Sequence, residues 1–539
     1  MYNSILDDTI VSSQTYRYTG GRIDILPSDA THSDRAEYTA GCKVAADECA
    51  IGFWFENLKH VTIDFGGATL CFHGRIVPFV LDNCEDITLK NFSIDYDRPF
   101  YSQADILSFN GEEMEIRMCD GFDYAVKDGY LIAKGCGWEK NLNRNDCLLW
   151  PFEREGYAEY DIMLALFGPE VFPNENPPME IHQLSVQEKE DHLIIRGYFP
   201  PNWHKIGEKT TLLITHEIRD KQAITAVGCR NVTVESCTLV HCAGMGFMGM
   251  HCENITLDRF NAYRNYHGNG RMVACNADAV HCFNCKGRIV IRNCEMEALL
   301  DDTVNIHGNY YTVDSVNGQT LGMVMNGPNK KLALRCFNEG DTVTVYRGRT
   351  QKPVAELVVN AIRFDTETGI RYYSVTGDTA QIAAGDTMEN RSAQPEILLE
   401  NNTFGIFRGT MRLQSRNKTV IRNCRFYNPG ASMLFTGDTT YWYESGPVQD
   451  LTVEDCAFVN QAGPYFYVFG EVEFTKEYPF YHKNITVKNC RFDHGGVVAE
   501  LNHLNGFTFT GNNSPDTMQI LSAHSRNIRT DCSTVIERD

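Results

Sequence analysis

The stretch Asn276–Gly308, NADAVHCFNCKGRIVIRNCEMEALLDDTVNIHG, decides how this chain is read. It sets three carboxylates, Asp278, Asp301 and Asp302, around a short β-branched run, GRIVIRNC, bounded by Gly and Asn. A run of that length and composition between turn residues predicts a strand. Asp278 and Asp301 are 23 residues apart. If that interval is one turn of a repeating β structure, the two carboxylates occupy equivalent places on neighbouring rungs, about 4.8 Å apart along the stack. Like charges at that range raise one another's pKa, so such clusters act as acid and base pairs or as metal ligands more often than they support a fold.

The same unit recurs on both sides of this stretch. It consists of an Asn-bearing turn, a strand alternating apolar and polar residues, two polar residues, then Cys or Phe and one more apolar residue. Strong copies are NVTVESCTL at 231, NITLDRFNA at 254, RIVIRNCEM at 288, KTVIRNCRF at 418, DLTVEDCAF at 450 and NITVKNCRF at 484. Weaker ones are HVTIDFGGATL at 60, DITLKNFSI at 86, EILLENNTF at 396 and GFTFTGNNS at 506. Aligned on the first apolar residue, Val232 to Ile255 and Ile397 to Val420 are each 23 residues, Val420 to Leu451 is 31, Leu451 to Ile485 is 34 and Ile485 to Phe507 is 22. A base period in the low twenties, lengthened by loops on some turns, predicts an all-β, right-handed parallel β-helix whose turns bury their inward faces only against neighbours. Cys237, Cys294, Cys424, Cys456 and Cys490 share one place in the unit, which predicts an inward stack of small apolar side chains. Cys282 and Cys285 form a single CxxC with no second pair, a weak zinc signal, so no metal and no cofactor is expected.

The period breaks twice. Residues 99–222 carry EEMEIRMCDG, DGYLIAKG, HLIIRGYFP and KTTLLITHE, and residues 310–392 carry YYTVDSVNGQTLGMVM, EGDTVTVYRG, AELVVNAIRF and RYYSVTGD. These alternating, turn-punctuated runs predict antiparallel β modules inserted into the solenoid, the second of them barrel-like and beside the acidic cluster. The solenoid is then residues 50–98, 223–309 and 393–515, with a lead-in or cap at 1–49 and a tail at 516–539.

Composition narrows the function. The 49 basic and 70 acidic residues give a formal charge of -21, which argues against nucleic acid as a partner. A neutral ligand such as a sugar is unhindered, and the 25 Tyr and 30 Phe suit a carbohydrate site as well as a core. No run is long enough for a transmembrane helix, so no membrane partner is expected. The opening MYNSILDDTIVSS is acidic where a secretory signal is basic, and the chain holds 20 cysteines. Together these predict a reducing, cytoplasmic setting with free thiols; a chain trimmed of a signal would instead be secreted or periplasmic.

NADAVHC, CKGRIVIRNC, LLDDTVNIHG and, further on, YWYESGPV at 441 resemble glycoside hydrolase family 110, the α-1,3-galactosidases of blood-group-B-type glycans. A weaker similarity runs to the polygalacturonases, β-helix hydrolases with an Asn-x-Asp then Asp-Asp order, matched here by Asn276, Asp278, Asp301 and Asp302. The resemblance implies an exo-acting, inverting, metal-independent glycosidase with a terminal galactosyl glycan as its partner, and it is compatible with a homo-oligomer. It places the catalytic acids at Asp278, Asp301 and Asp302, with Asp301 as general acid and the other two on the water-activating side by the polygalacturonase order. Around them, His307 is read as orienting a carboxylate or contacting sugar, Arg408 and Arg412 as binding hydroxyls or holding the carboxylates, and Trp442 with Glu444 as covering and hydrogen-bonding a sugar. Asn276, His281 and Arg271 complete the expected substrate-binding set, although strand alternation leaves the facing of the last two open. Three alternatives remain: a polygalacturonase-like hydrolase, a Ca-dependent lyase, and a non-catalytic β-helix adhesin or carbohydrate-binding protein.

Overall fold

In the computed structural model, residues 9–538 are described apart from 40–48, 143–148, 154–184, 198, 200–209, 217–218, 220, 264–269, 325–335, 366–367, 369, 406–409, 428–432 and 460–463. The repeating units become parallel strands that stack in register. Val61 pairs with Ile87, Ile87 with Val232, Val232 with Ile255, Ile255 with Ile289 and Ile289 with Ile397. Ile87 and Val232 are direct partners although the first insertion separates them, and Ile289 and Ile397 are direct partners across the second. Both insertions are therefore looped out of one continuous parallel β-helix, with the right hand that crossovers between parallel strands take in about 98% of cases. A single apolar core runs from Ile25 to Ile520.

Local chemistry explains the unit. Each copy alternates outward polar with inward β-branched residues, as in Arg230–Leu239, where Val232, Val234, Cys237 and Leu239 are buried. The Asn at the corner sits in the left-handed region that its short amide tolerates, with φ of 55° at Asn231, 61° at Asn254 and 53° at Asn484. Asn254 Nδ2 donates to Asn231 Oδ1 at 2.8 Å, so consecutive corners are tied together.

Several expected boundaries move. Thr15–Arg17 and Arg22–Ile25 pair in parallel with Lys59–Phe72, so part of the expected lead-in already forms a rung. Met518–Ala523, Arg526–Thr530 and Thr534–Glu537 extend both sheets, so the expected tail is another rung. These segments alternate too weakly for repeat matching, yet their backbone groups need the same ladder partners. Ile397 pairs with Thr419 rather than Val420, since Thr419 takes the buried place and Val420 the outward one. Cys424, Cys456 and Cys490 do line up, but Cys237 pairs with Phe92 and Phe260 instead. Cys84, Cys229, Cys252 and Cys285 make a second column that the repeat alignment did not reveal.

Within the first insertion, Tyr101–Phe109, Glu113–Met118, Leu149–Glu153, Ser185–Glu188, Leu193–Arg196 and Thr210–Thr215 form a six-stranded antiparallel sheet. The second insertion grows out of the helix itself. Val304–Asn317 begins parallel to Val280–Phe283 and Met411–Leu413, then pairs antiparallel with Thr320–Val324 and Thr387–Asn390. Arg371–Thr376, Pro353–Phe364 and Thr342–Tyr346 close the ring. Among the described residues no helix is long and apolar enough to cross a membrane.

Candidate active site

The acidic cluster lies on the outer face of the β-helix sheet that contains Val280–Phe283, Val304–Asn317 and Met411–Leu413. Cys275 bridges to Leu299 and Val280 pairs with Val304, so the register here is 24 residues and Asp278 stands opposite Asp302. The expected pairing of Asp278 with Asp301 is thus off by one, and Asp301 sits one residue to the side. The same register resolves the facing of His281, which aligns with Asn305 and Arg412 in one outward row. His307 follows in the next row, beside Phe283.

Each carboxylate has a distinct set of partners. Asp278 is fully buried; its Oδ2 lies 2.6 Å from His281 Nδ1, while Oδ1 has no hydrogen-bond partner among the described residues. Asp301 Oδ2 accepts from Arg219 Nη2 at 2.8 Å, and the same nitrogen is 3.8 Å from Asp278 Oδ1. Asp302 Oδ1 accepts from the Thr410 N–H at 2.7 Å and from its hydroxyl at 3.1 Å, and Arg412 Nε is 3.2 Å from Asp302 Oδ2. Arg412 also reaches Glu444, with Nη1 3.7 Å from Oε2. Asn305 and Gln414 donate to Glu444 at 3.3 and 3.2 Å.

Four carboxylates facing two guanidiniums in a buried place cannot all stay ionised without a large desolvation cost. Burial pushes Asp278 up to about 8, with the Asp301 charge adding to it and Arg219 opposing it. Burial likewise lifts Asp302 to about 7 against the pull of Arg412. Burial alone would raise Glu444 too, but His307, Arg412, His281 and Asn305 together hold it below the usual carboxylate value. Burial and Arg219 lower His281 to about 4, and burial lowers His307.

Glu444 and Trp442 reach the site through a strained but well-tied loop. Asp438 accepts from the backbone N–H groups of Thr440, Tyr441, Trp442 and Tyr443, four consecutive amides gathered on one carboxylate. The strand then pairs Glu444 with Asn309 and Ser445 with Gly308. A side chain at 308 would meet Ser445 Oγ at 2.5 Å, so the glycine lets the Ser445 side chain sit close over this strand. The Arg219 guanidinium carbon lies 6.0 Å from the centre of the Trp442 ring, within cation–π range.

The remaining expected residues fare differently. Asn276 is buried; its Nδ2 donates to the Phe100 carbonyl at 2.7 Å, tying the first insertion to the helix, and its Oδ1 has no hydrogen-bond partner among the described residues. Arg271 Nη1 pairs with Asp95 Oδ1 at 2.8 Å, and its neighbours Gly270 and Met272 both bond Gln103 of the first insertion. Arg408 lies outside the described residues. Sequence reading missed Arg219, Asn305, Thr410, Gln414 and Asp438. Asn305 was within reach of a register argument, since it lies 24 residues after His281. Nothing around Arg219 sets it apart. Among the described residues, the group with metal-ligand spacing is Asp24, Cys71 and His73, away from this cluster. Arg22 already bonds both Asp24 Oδ1 and Cys71 Sγ there.

No family model matches the chain. Among curated proteins it is similar to α-1,3-galactosidase A of Bacteroides fragilis (strain YCH46), 28% identical over 82% of this chain and 71% of that one. It is also similar to α-1,3-galactosidase A of Shewanella woodyi, 26% identical over 86% and 74%. α-1,3-Galactosidase B of Bacteroides thetaiotaomicron is 27% identical over 92% and 80%. Among solved structures, the polygalacturonase from Erwinia carotovora ssp. carotovora aligns over 99% of this chain and 97% of that one, at 10% identity and a TM-score of 0.34. The resemblance read from the acidic motifs therefore extends over most of the sequence: the chain is similar to curated α-1,3-galactosidases at 26–28% identity, and their names support a glycoside hydrolase of the galactosidase type.

Proposed function

We propose that this chain is an exo-acting, inverting, metal-independent α-1,3-galactosidase that releases terminal galactose from blood-group-B-type or related glycans. The observation that carries the reading is the convergence of Asp278, Asp301 and Asp302 under two arginines, where burial pushes Asp278 and Asp302 up and Arg219 and Arg412 oppose it. Inversion needs both forms at once. A protonated carboxyl gives its proton to the leaving glycosidic oxygen, while an ionised carboxylate takes one from the attacking water on the opposite face of the sugar. Arg219 holds Asp301 as an acceptor, and Arg412 with Thr410 orients Asp302. A third carboxylate is explained where a water must be held by two acceptors. Trp442 supplies an apolar face for a sugar ring, and Glu444, anchored by Asn305 and Gln414, an acceptor for its hydroxyls. The names of the curated relatives support the α-1,3 linkage.

Proton NMR of galactose newly released from α-1,3-, α-1,4- and α-1,6-linked galactosides tests the proposal. The α-1,3 substrate is expected to turn over fastest and to yield the β anomer before mutarotation. First accumulation of the α anomer overturns the inverting mechanism, and equal rates on all three overturn the linkage.

A further inference from the structure

The loop that brings Trp442 and Glu444 to the site is wound around a single side chain. Asp438 Oδ1 accepts from the N–H groups of Thr440 and Tyr441 and from the Thr440 hydroxyl, and Oδ2 accepts from the N–H groups of Trp442 and Tyr443. Its own N–H donates to the Glu444 carbonyl at 3.0 Å, which closes the loop into a ring about the carboxylate. Asp438 is buried, and a neighbouring turn braces the loop from outside. There the Glu471 N–H donates to the Gly437 carbonyl at 2.7 Å and the Thr439 N–H to the Glu471 carbonyl at 3.2 Å. Between Trp442 and Glu444 stands Tyr443, with φ of 59°. A bulky aromatic residue avoids that left-handed conformation unless its surroundings impose it. Here Tyr443 is tied on both sides: its N–H donates to Asp438 Oδ2 at 3.2 Å, and its carbonyl accepts from the Tyr310 N–H at 2.7 Å. The second tie continues the ladder that seats Glu444 opposite Asn309.

We infer that Asp438 is a positioning residue for sugar binding: by holding Tyr443 in its left-handed conformation, it aims Trp442 and Glu444 at the substrate before any substrate arrives. That a sugar meets those two side chains rests on the glycosidase reading; the hold of Asp438 on the loop does not. An ionised carboxylate suits four converging N–H groups because it offers acceptor sites alone. Without it those amides must find other partners, and the backbone is free to return Tyr443 to the extended or right-handed region. Such a change at 443 turns the chain between the Trp442 ring and the Glu444 carboxylate. Trp442 then leaves its place beside Arg219, and Glu444 loses its bonds from Asn305 and Gln414. A sugar touches these groups in the bound ground state and in the transition state alike, so the hold lowers KM more than it raises kcat.

Kinetics and fluorescence of the full chain test this role. Asp438→Ala is expected to raise KM for an α-1,3-galactoside by about tenfold or more, the share of one hydrogen bond to a charged group, with kcat within about threefold. Asp438→Asn keeps one acceptor oxygen and is expected to fall between that variant and the parent. Tyr443→Gly removes the strain at 443, since glycine takes a positive φ freely. Asp438→Ala combined with Tyr443→Gly is therefore expected to recover most of the lost affinity. An unchanged KM in Asp438→Ala while Tm falls makes Asp438 merely structural and overturns the proposal, and so does a double variant no better than Asp438→Ala. Should Asp438→Ala not fold, Asp438→Asn with and without Tyr443→Gly carries the same comparison. The emission of Trp442 needs no substrate; it is the difference between each variant and the same variant carrying Trp442→Phe. It is expected to shift in Asp438→Ala and to return in the double variant, and an unshifted emission overturns the proposal. If no galactoside turns over while the emission behaves as stated, the glycosidase reading fails and the hold of Asp438 on the loop stands.

Discussion

The rungs between Thr403 and Thr510 and the rungs that carry the acidic cluster are built from the same unit, yet they use the outer face of the sheet in opposite ways. In the later rungs Phe404, Phe426, Phe458 and Phe492 stack inward with ring centres 5.4, 4.9 and 4.8 Å apart. Their outward row, Leu434, Tyr467 and Glu500, remains partly open to solvent. In the rungs from Val280 to Leu413 the corresponding outward row is His281, Asn305 and Arg412, where His281 and Asn305 are buried. What differs is the cover. Arg219 from the end of the first insertion and the loop from Asp438 to Ser445 lie over this face, so polar groups that would be solvated elsewhere must find partners or change protonation. A regular scaffold thus acquires a site where irregular segments fold back over it.

The sharpest way to break this comparison is to neutralise one carboxylate beside the covered row and one in the open row. Asp302→Asn is expected to lower turnover by about 100-fold or more, a typical share for one acid or base, with circular dichroism unchanged. Glu500→Gln should leave turnover within about twofold. Equal effects would show that cover does not distinguish the two faces. Next in size is an inward substitution in the later rungs. Phe458→Ala removes a fully buried ring from the stack and should destabilise the fold by about 3–5 kcal/mol, read as a lower midpoint of chemical denaturation. Turnover per folded molecule should not change, and a matching loss of turnover would mean that the site depends on the distant stack.

The smallest effect expected is a pH-dependent one. Burial pushes Asp278 from its ordinary value of 3.8 up to about 8 in the folded chain. Between those pH values the folded chain keeps a proton that the unfolded chain has lost, so this group's contribution falls as pH rises through the window. Asp278→Asn does not titrate there. Its Tm relative to the parent should therefore rise between about pH 4 and about pH 8, by a few degrees at the upper end. A gap that stays flat across the range would place the proton elsewhere in the cluster.

Much of this architecture was legible in the linear chain. Inward valines, isoleucines and phenylalanines recur because every turn must bury the same side, and corner asparagines recur because every turn bends at the same place. The two interruptions were legible for the same reason: Ile87 and Val232, or Ile289 and Ile397, can be matched across any length of insert. Asp278, Asp301, Asp302, His307, Trp442 and Glu444 could be nominated from their motifs. Thr419 and the 24-residue register at Asp278 could not, because a one-residue shift leaves the composition of a strand unchanged while reversing which side chains face outward. The first and last rungs were missed where alternation is weak and only ladder hydrogen bonding reveals the strand.

The sequence by itself determined the parallel β-helix and the presence of an acidic cluster, because periodic burial is a local property repeated along the chain. Only the tertiary structure decided which partners each carboxylate meets. That choice depends on Arg219, Thr410, Arg412 and Glu444, brought from separate insertions and rungs to within about 4 Å of one another's partners. Electrostatic fields act through space and fall off over ångströms, so they follow distance in the folded molecule, not separation along the chain.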